Sequence, residues 1–308
     1  MSNRSFLYFL SQWRVLSCVS VMSLLTLWST AQVKMLKIDP KATDSRLTVA
    51  HGPHIALYDR TAADKGRLIL MMEGTGGSAM SMQPVDSVFA TLGFHVVSLD
   101  YPNDVISTVC AHSKDSACSD HFREEIVTGR PVSGLVDVDS VNCIISRFTD
   151  LLRDLQHTDP AGNWGRFLRH GKPRWDRIVV AGHSQGSGHA AYLGKLFRVD
   201  RVLIFSGPQD YLADLQMPSP WLSMKSATPR NRYFAFLHIN DPFNAHYQIA
   251  NCDVLMGLNK GDTVMVSPGE HITGHPQIMV NSIATNAPHS STIMPEFKSI
   301  WAYMLGKQ

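Results

Sequence analysis

Gly182-His183-Ser184-Gln185-Gly186 follows the apolar run Ile178 to Ala181 and leads into a stretch of small residues. A serine with glycine two residues to either side, between a strand and a helix, is the sequence form of a very sharp turn that strains the serine backbone. Gly182 and Gly186 remove the bulk that would keep strand and helix apart, and Gly188 with Ala190 lets the helix approach the strand. Such a turn pushes the Ser184 hydroxyl out at the carboxyl edge of the sheet. It also leaves the Gln185 backbone N–H at the head of a helix, aimed where an oxyanion would form. The chemistry this suits is acyl transfer. A serine hydroxyl becomes a useful nucleophile only when a base takes its proton and an acid orients that base.

Such residues need a scaffold, and the chain reads as one. Arg67 to Glu73, Phe94 to Tyr101, Arg177 to Ala181, Arg201 to Phe205 and Tyr233 to His238 are apolar runs without polar alternation. That is the pattern of strands buried on both faces of a parallel sheet. His54 to Tyr58 and Gln277 to Ile283 are two further strand expectations. Between them, Val141, Ile144, Ile145, Phe148, Leu151, Leu152 and Leu155 form one helical stripe opposite Arg147, Asp150 and Asp154. Ser187 to Leu196 and Pro295 to Leu305 read as further helices. With no internal repeat or low-complexity linker, the expectation is one domain over residues 32–308, of the α/β class.

At this point the chain resembles the α/β-hydrolase superfamily, in particular its exported bacterial serine esterase and lipase-like members. The resemblance runs from about Lys37 to the C-terminus and implies a mostly parallel central sheet flanked by helices, without a large cap domain. In that family a glycine-rich loop after an early strand gives a second oxyanion donor. Glu73-Gly74-Thr75-Gly76-Gly77 stands there, which implies the Thr75 N–H, with Gly76 as the alternative. A phosphate-cradling loop would need Lys-Ser or Lys-Thr where Ser78-Ala79 stands.

The family's chain order of nucleophile, acid and base implies Asp241, just after the Tyr233 to His238 run, and His289, just before the last helix. Asp210, after the Arg201 to Phe205 run, is the alternative acid. His271 and His275 compete with His289, and their spacing also allows a metal pair. Gly269, Gly274 and Pro276 break the helix such a pair needs, so no metal and no organic cofactor is expected. The activity implied is hydrolysis of small or polymeric carboxylic esters through an acyl-enzyme. The alternatives are a peptidase of the same fold, an exported binding protein without turnover, and a metal hydrolase on His271 and His275.

Residues 1–31 carry Arg4 and Arg14, an apolar run from Val15 to Trp28 and the small residues Ser29-Thr30-Ala31. These are the parts of a secretory signal peptide, and the run falls short of the roughly 20 residues a membrane span needs. The expectation is cleavage near Ala31 and export to the periplasm or beyond, with no stable membrane span afterwards. Lys and Arg total 28 against 26 Asp and Glu. Without Arg4 and Arg14 the balance is 26 to 26, which offers no excess charge for nucleic acid.

In an oxidising compartment Cys110 and Cys118 are expected to pair, stapling a polar segment. Cys143, on the polar face with Arg147, is expected outside the core, and it is either bonded to Cys252 or free. The excursion Pro102 to Pro131 leaves the edge where ligands bind in α/β sheets and is expected to wall the substrate. His183 and His189 read as packing histidines, Trp164 and Trp175 as loop anchors, and Arg123-Glu124-Glu125 as a solvated charge run.

Overall fold

The computed structural model describes residues 32–306, so the expected signal peptide lies outside the described residues. Nine strands form its central sheet. They are β1 (Val33–Ile38), β2 (His54–Asp59), β3 (Leu68–Met72), β4 (His95–Ser98), β5 (Ile178–His183), β6 (Arg201–Phe205), β7 (Tyr233–His238), β8 (Val264–Met265) and β9 (Ile278–Asn281). Their spatial order is β1-β2-β4-β3-β5-β6-β7-β9-β8. The pairs β1–β2 and β2–β4 are antiparallel, and every other pair is parallel. This is an α/β architecture with a large, mostly parallel sheet, as the continuous apolar runs require.

Among the described residues, and apart from the single turn Pro40–Thr43, the α-helices that cover the sheet are α1 (Gln83–Thr91), α2 (Cys118–Thr128), α3 (Ile144–Thr158), α4 (Gln185–Leu196), α5 (Ala245–Met256) and α6 (Lys298–Met304). Alternate residues of the inner strands feed two separate cores. Leu68, Leu70 and Met72 pack with Val180, Ile204 and Ala235 beneath α2, α3, α4 and α5. Ile69 and Met71 pack with Val179, Leu203 and Phe236 beneath α1 and α6. Side chains alternate across a strand, so a strand sandwiched between two cores has no polar face to show. On α3 the residues Ile144, Phe148, Leu151, Leu152 and Leu155 are fully buried, each worth about 1.5–3 kcal/mol relative to exposure.

Three expectations are corrected. Arg147 is not on a solvated face: it is 1% exposed and joins Asp100 at 3.1 Å with both side chains buried. Cys143 is likewise in the core, capping α3 at its start, and both it and Cys252 are free and buried. Arg123-Glu124-Glu125 is not a solvated run either. Arg123 is fully buried, and the Glu125 carboxylate accepts from the amides of Val132, Ser133 and Val138. A charged side chain can be buried when it is paired and fully hydrogen-bonded, and apolar periodicity does not report such pairs.

The short edge strands β1 and β8 and the helices α1, α2 and α5 were not marked by the sequence pattern. Cys110 and Cys118 form a disulfide with Cα atoms 5.6 Å apart, linking the excursion to the start of α2. No helix among the described residues is long and apolar enough to cross a membrane.

Candidate active site

Strands β3, β5, β6, β7 and β9 run parallel, so their carboxyl ends share one edge of the sheet. Ser184 follows β5 at φ 56°, ψ −122°, directly ahead of α4. Non-glycine residues rarely adopt positive φ, and here the glycines around Ser184 make the turn possible. A Cβ on Gly182 would stand 2.1 Å from the Gly186 carbonyl oxygen, and one on Gly186 would stand 2.3 Å from that of Met72. Gly74 also lets its loop approach, because a Cβ there would meet the Ser184 Cβ at 2.8 Å. Gly188 has a different duty from the expected one. Its missing side chain makes room for the Arg123 guanidinium, 2.3 Å from where a Cβ would sit.

His289 follows β9, and its Nδ1 lies 2.8 Å from Asp241 Oδ2. A carboxylate only accepts, so Nδ1 carries the hydrogen and Nε2 is left with a lone pair. The other Asp241 oxygen accepts from the Phe243 amide at 2.8 Å. Burial works against the Asp241 charge, yet the His289 ring and the Phe243 amide outweigh it and hold the carboxyl below the usual carboxylate range. The backbone of His289 is pinned as well. Its carbonyl accepts from Ser206 Oγ at 2.6 Å and lies 2.9 Å from His183 Nε2. His183 is pushed down to about 4 by burial and by the neighbouring His289, so it is a neutral anchor.

Asp210, the alternative acid, is engaged elsewhere. Arg123 donates from Nε to Oδ1 at 3.0 Å and from Nη2 to Oδ2 at 2.9 Å, with both side chains fully buried. Arg123 also donates to the Gln185 carbonyl at 2.8 Å, which ties this pair to the first residue of α4. His189 lies 3.3 Å from the same guanidinium nitrogen, and burial then Arg123 push it well down. His271 and His275 are exposed and do not line the cavity that holds Ser184. Among the described residues, no cluster of three or more His, Cys, Asp or Glu is arranged to hold a metal.

In the loop after β3 the N–H groups of Thr75, Gly76 and Gly77 are engaged differently. Gly76 N–H is taken by the Asn103 carbonyl at 3.1 Å and Gly77 N–H by the Gly74 carbonyl at 3.0 Å, whereas the Thr75 N–H has no partner in the loop network. Asn103, 1% exposed, clasps this loop. Its Nδ2 donates to Glu73 Oε1 at 3.0 Å and to the carbonyls of Gly74 and Gly77, each at 3.1 Å. Tyr101 adds a hydroxyl bond to the Glu73 carbonyl at 2.7 Å. The Thr75 hydroxyl donates to Gln185 Oε1 and joins the two candidate oxyanion residues. Glu73 itself is buried, which pushes its carboxyl well above the usual range.

Ser184, Thr75 and His289 line a cavity of about 580 Å3 together with Gly74, Met82, Ile106, Phe243 and Ile293. No Lys, Arg, Asp or Glu is among its lining residues. The excursion after β4 contributes Ile106 to this wall, while its later part, Cys118–Thr128, folds as α2. Ser184 and His289 share the cavity without being joined by a hydrogen bond. Ser184 Oγ accepts instead from Gln209 Nε2 at 3.2 Å, and His289 Nε2 is buried without a partner.

Asn103, Arg123, Ser206 and Gln209 were missed as site residues. A lone Asn, Ser or Gln after a strand carries no spacing signal, and Arg123 was disguised by its acidic neighbours. The arrangement is that of an α/β protein in which Ser184, Thr75 and the Asp241-bound His289 line one cavity. Comparison with protein-family models and with curated protein sequences returns no match.

Proposed function

We propose that this chain is an α/β-hydrolase that cleaves carboxylic esters through an acyl-enzyme. The observation that carries the reading is the strained Ser184 at the head of α4, in one cavity with the Asp241-bound His289. In this scheme Ser184 Oγ attacks the ester carbonyl carbon while His289 Nε2 takes the hydroxyl proton. The carbonyl π electrons move to oxygen, and the Thr75 and Gln185 N–H groups receive the resulting oxyanion. Collapse of the tetrahedral intermediate expels the alcohol, which takes the proton from His289. Water then repeats the sequence on the acyl-enzyme, releasing the acid and restoring Ser184. Asp241 keeps the imidazole in the tautomer with Nε2 free and stabilises the imidazolium.

The cavity's uncharged walls favour an ester without charge next to the scissile bond. We place the protein outside the cytoplasm, a reading supported by the leader-like residues 1–31 and by the Cys110–Cys118 disulfide. The test is labelling by a fluorophosphonate, followed by a chromogenic ester series run against short peptide amides. Wild type should label and Ser184→Ala should not, and esters should turn over faster than amides. A chain that labels equally well without Ser184, or hydrolyses no ester, would refute the assignment.

A further inference from the structure

The bond between Gln209 and Ser184 has no part in the acyl-transfer scheme. Gln209 Nε2 stands 3.2 Å from Ser184 Oγ, while the His289 nitrogen that has to take the hydroxyl proton is without a partner. The glutamine is only 5% exposed and is held at both ends of its amide. Oε1 accepts from Ser107 Oγ at 3.3 Å, and Nε2 also reaches the Ser206 carbonyl at 3.4 Å. An amide N–H can donate to the hydroxyl oxygen but cannot take its proton. In this arrangement the hydroxyl has Gln209 as its partner and does not reach the base. Ser107 follows Ile106 in the chain, and Ile106 is a cavity-wall side chain that is 38% exposed. A continuous path therefore leads from the cavity wall, through Ser107 and the Gln209 amide, to the nucleophile.

We propose that Gln209 is a positioning residue that latches Ser184 away from His289, and that an acyl chain pressing on Ile106 opens the latch. Movement of Ile106 draws Ser107 with it, the Gln209 amide turns, and Ser184 Oγ rotates to His289 Nε2. No covalent bond changes in this step. The latch deepens the ester-hydrolase reading and rests on Ser184 and His289 being nucleophile and base. It makes acyl groups long enough to reach Ile106 the preferred substrates, because they supply the push.

The experiment measures the rate constant for labelling of the full chain by a small uncharged fluorophosphonate. The proteins are wild type, Ser184→Ala, Gln209→Met and Ser107→Ala, each with its melting temperature. Methionine keeps the length of glutamine and removes the donor. Gln209→Met should label about three- to tenfold faster, the factor that corresponds to a neutral hydrogen bond of ordinary net strength. Ser107→Ala should show a smaller rise. In an ester series, wild-type kcat/KM should climb once the acyl chain reaches Ile106, and Gln209→Met should flatten that climb. Loss of a merely structural contact would produce neither effect.

A Gln209→Met protein that melts like wild type but labels no faster overturns the latch. If Gln209→Met fails to fold, an unchanged rate in Ser107→Ala overturns it. Absence of wild-type labelling, or equal labelling of Ser184→Ala, removes the hydrolase reading itself and is a different result from a latch that fails.

Discussion

Exchanging Asp210 and Asp241 separately for asparagine should damage two different properties. Asp210 is the counter-charge of Arg123, in a two-pronged pair with bonds of 3.0 and 2.9 Å and no exposure of either side chain. Asp210→Asn leaves a guanidinium buried without its anion, a change that costs about 3–5 kcal/mol. For a chain of this size each kcal/mol moves the melting temperature by about 2–4 °C, so a fall of about 6–20 °C is expected. Labelling per folded molecule should drop less than about tenfold, since Arg123 reaches the elbow only through the Gln185 carbonyl. Asp241→Asn does the reverse. Its amide no longer selects the His289 tautomer with Nε2 free, and kcat should fall about 10^4-fold. The fold should lose no more than a few degrees, because Oδ1 can still accept from Phe243. Thermal melts and fluorophosphonate labelling on both variants decide the matter. An inactive Asp210→Asn that melts like wild type, beside an active Asp241→Asn, would refute the division of roles argued here.

Asn103→Ala should release the loop from Glu73 to Gly77 and move the Thr75 N–H, lowering kcat about ten- to hundredfold with a smaller change in KM; steady-state kinetics on one ester show whether the effect lies in kcat. Gly186→Ala should abolish soluble folded protein, because its Cβ would press on the Met72 and Glu73 carbonyl oxygens at 2.3 and 2.5 Å and backbone cannot step aside; recovery of native circular dichroism would contradict this. Asp86 is buried beneath Ser98, and burial pushes its carboxyl up to about 8. A carboxyl raised above its unfolded value, about 3.9, binds more protons folded than unfolded, so its stability contribution is complete below that value and drains away as pH rises to about 8. Asp86→Asn should therefore gain in melting temperature over wild type as pH goes from 4 to 8, and a difference that stays flat with pH would count against the reasoning.

The parts that could be read in the sequence have a common cause. Strands β3, β5, β6 and β7 face two cores at once, so burial writes itself as unbroken apolar runs. The elbow was legible because backbone sterics allow only glycine at positions 182 and 186. The pairing of His289 with Asp241 followed from the resemblance's chain order, and the geometry joins that aspartate, not Asp210, to the ring. What could not be read was polar burial. Arg123, Arg147 and Glu125 have the sequence appearance of surface charges, and only three-dimensional neighbours reveal their partners. The side-chain amide of Asn103 reaches Glu73 and that of Gln209 reaches Ser184, 30 and 25 positions away. No local spacing encodes such a reach. The edge strand β1 mixes two lysines with its apolar residues, and β8 is only two residues long, so neither gives a continuous apolar run.

The carbonyl of His289 is moored to His183 at the tip of β5 and to Ser206 just past β6. The backbone of His289 thus takes its station from the same two strands that frame Ser184, although it arrives on a return segment from β9. Ala284 to Asn286, largely exposed and upstream of the mooring, should therefore tolerate being lengthened or rewritten without carrying the ring along. That stretch is where new recognition elements could be grafted onto the rim while Ser184 and His289 keep their places.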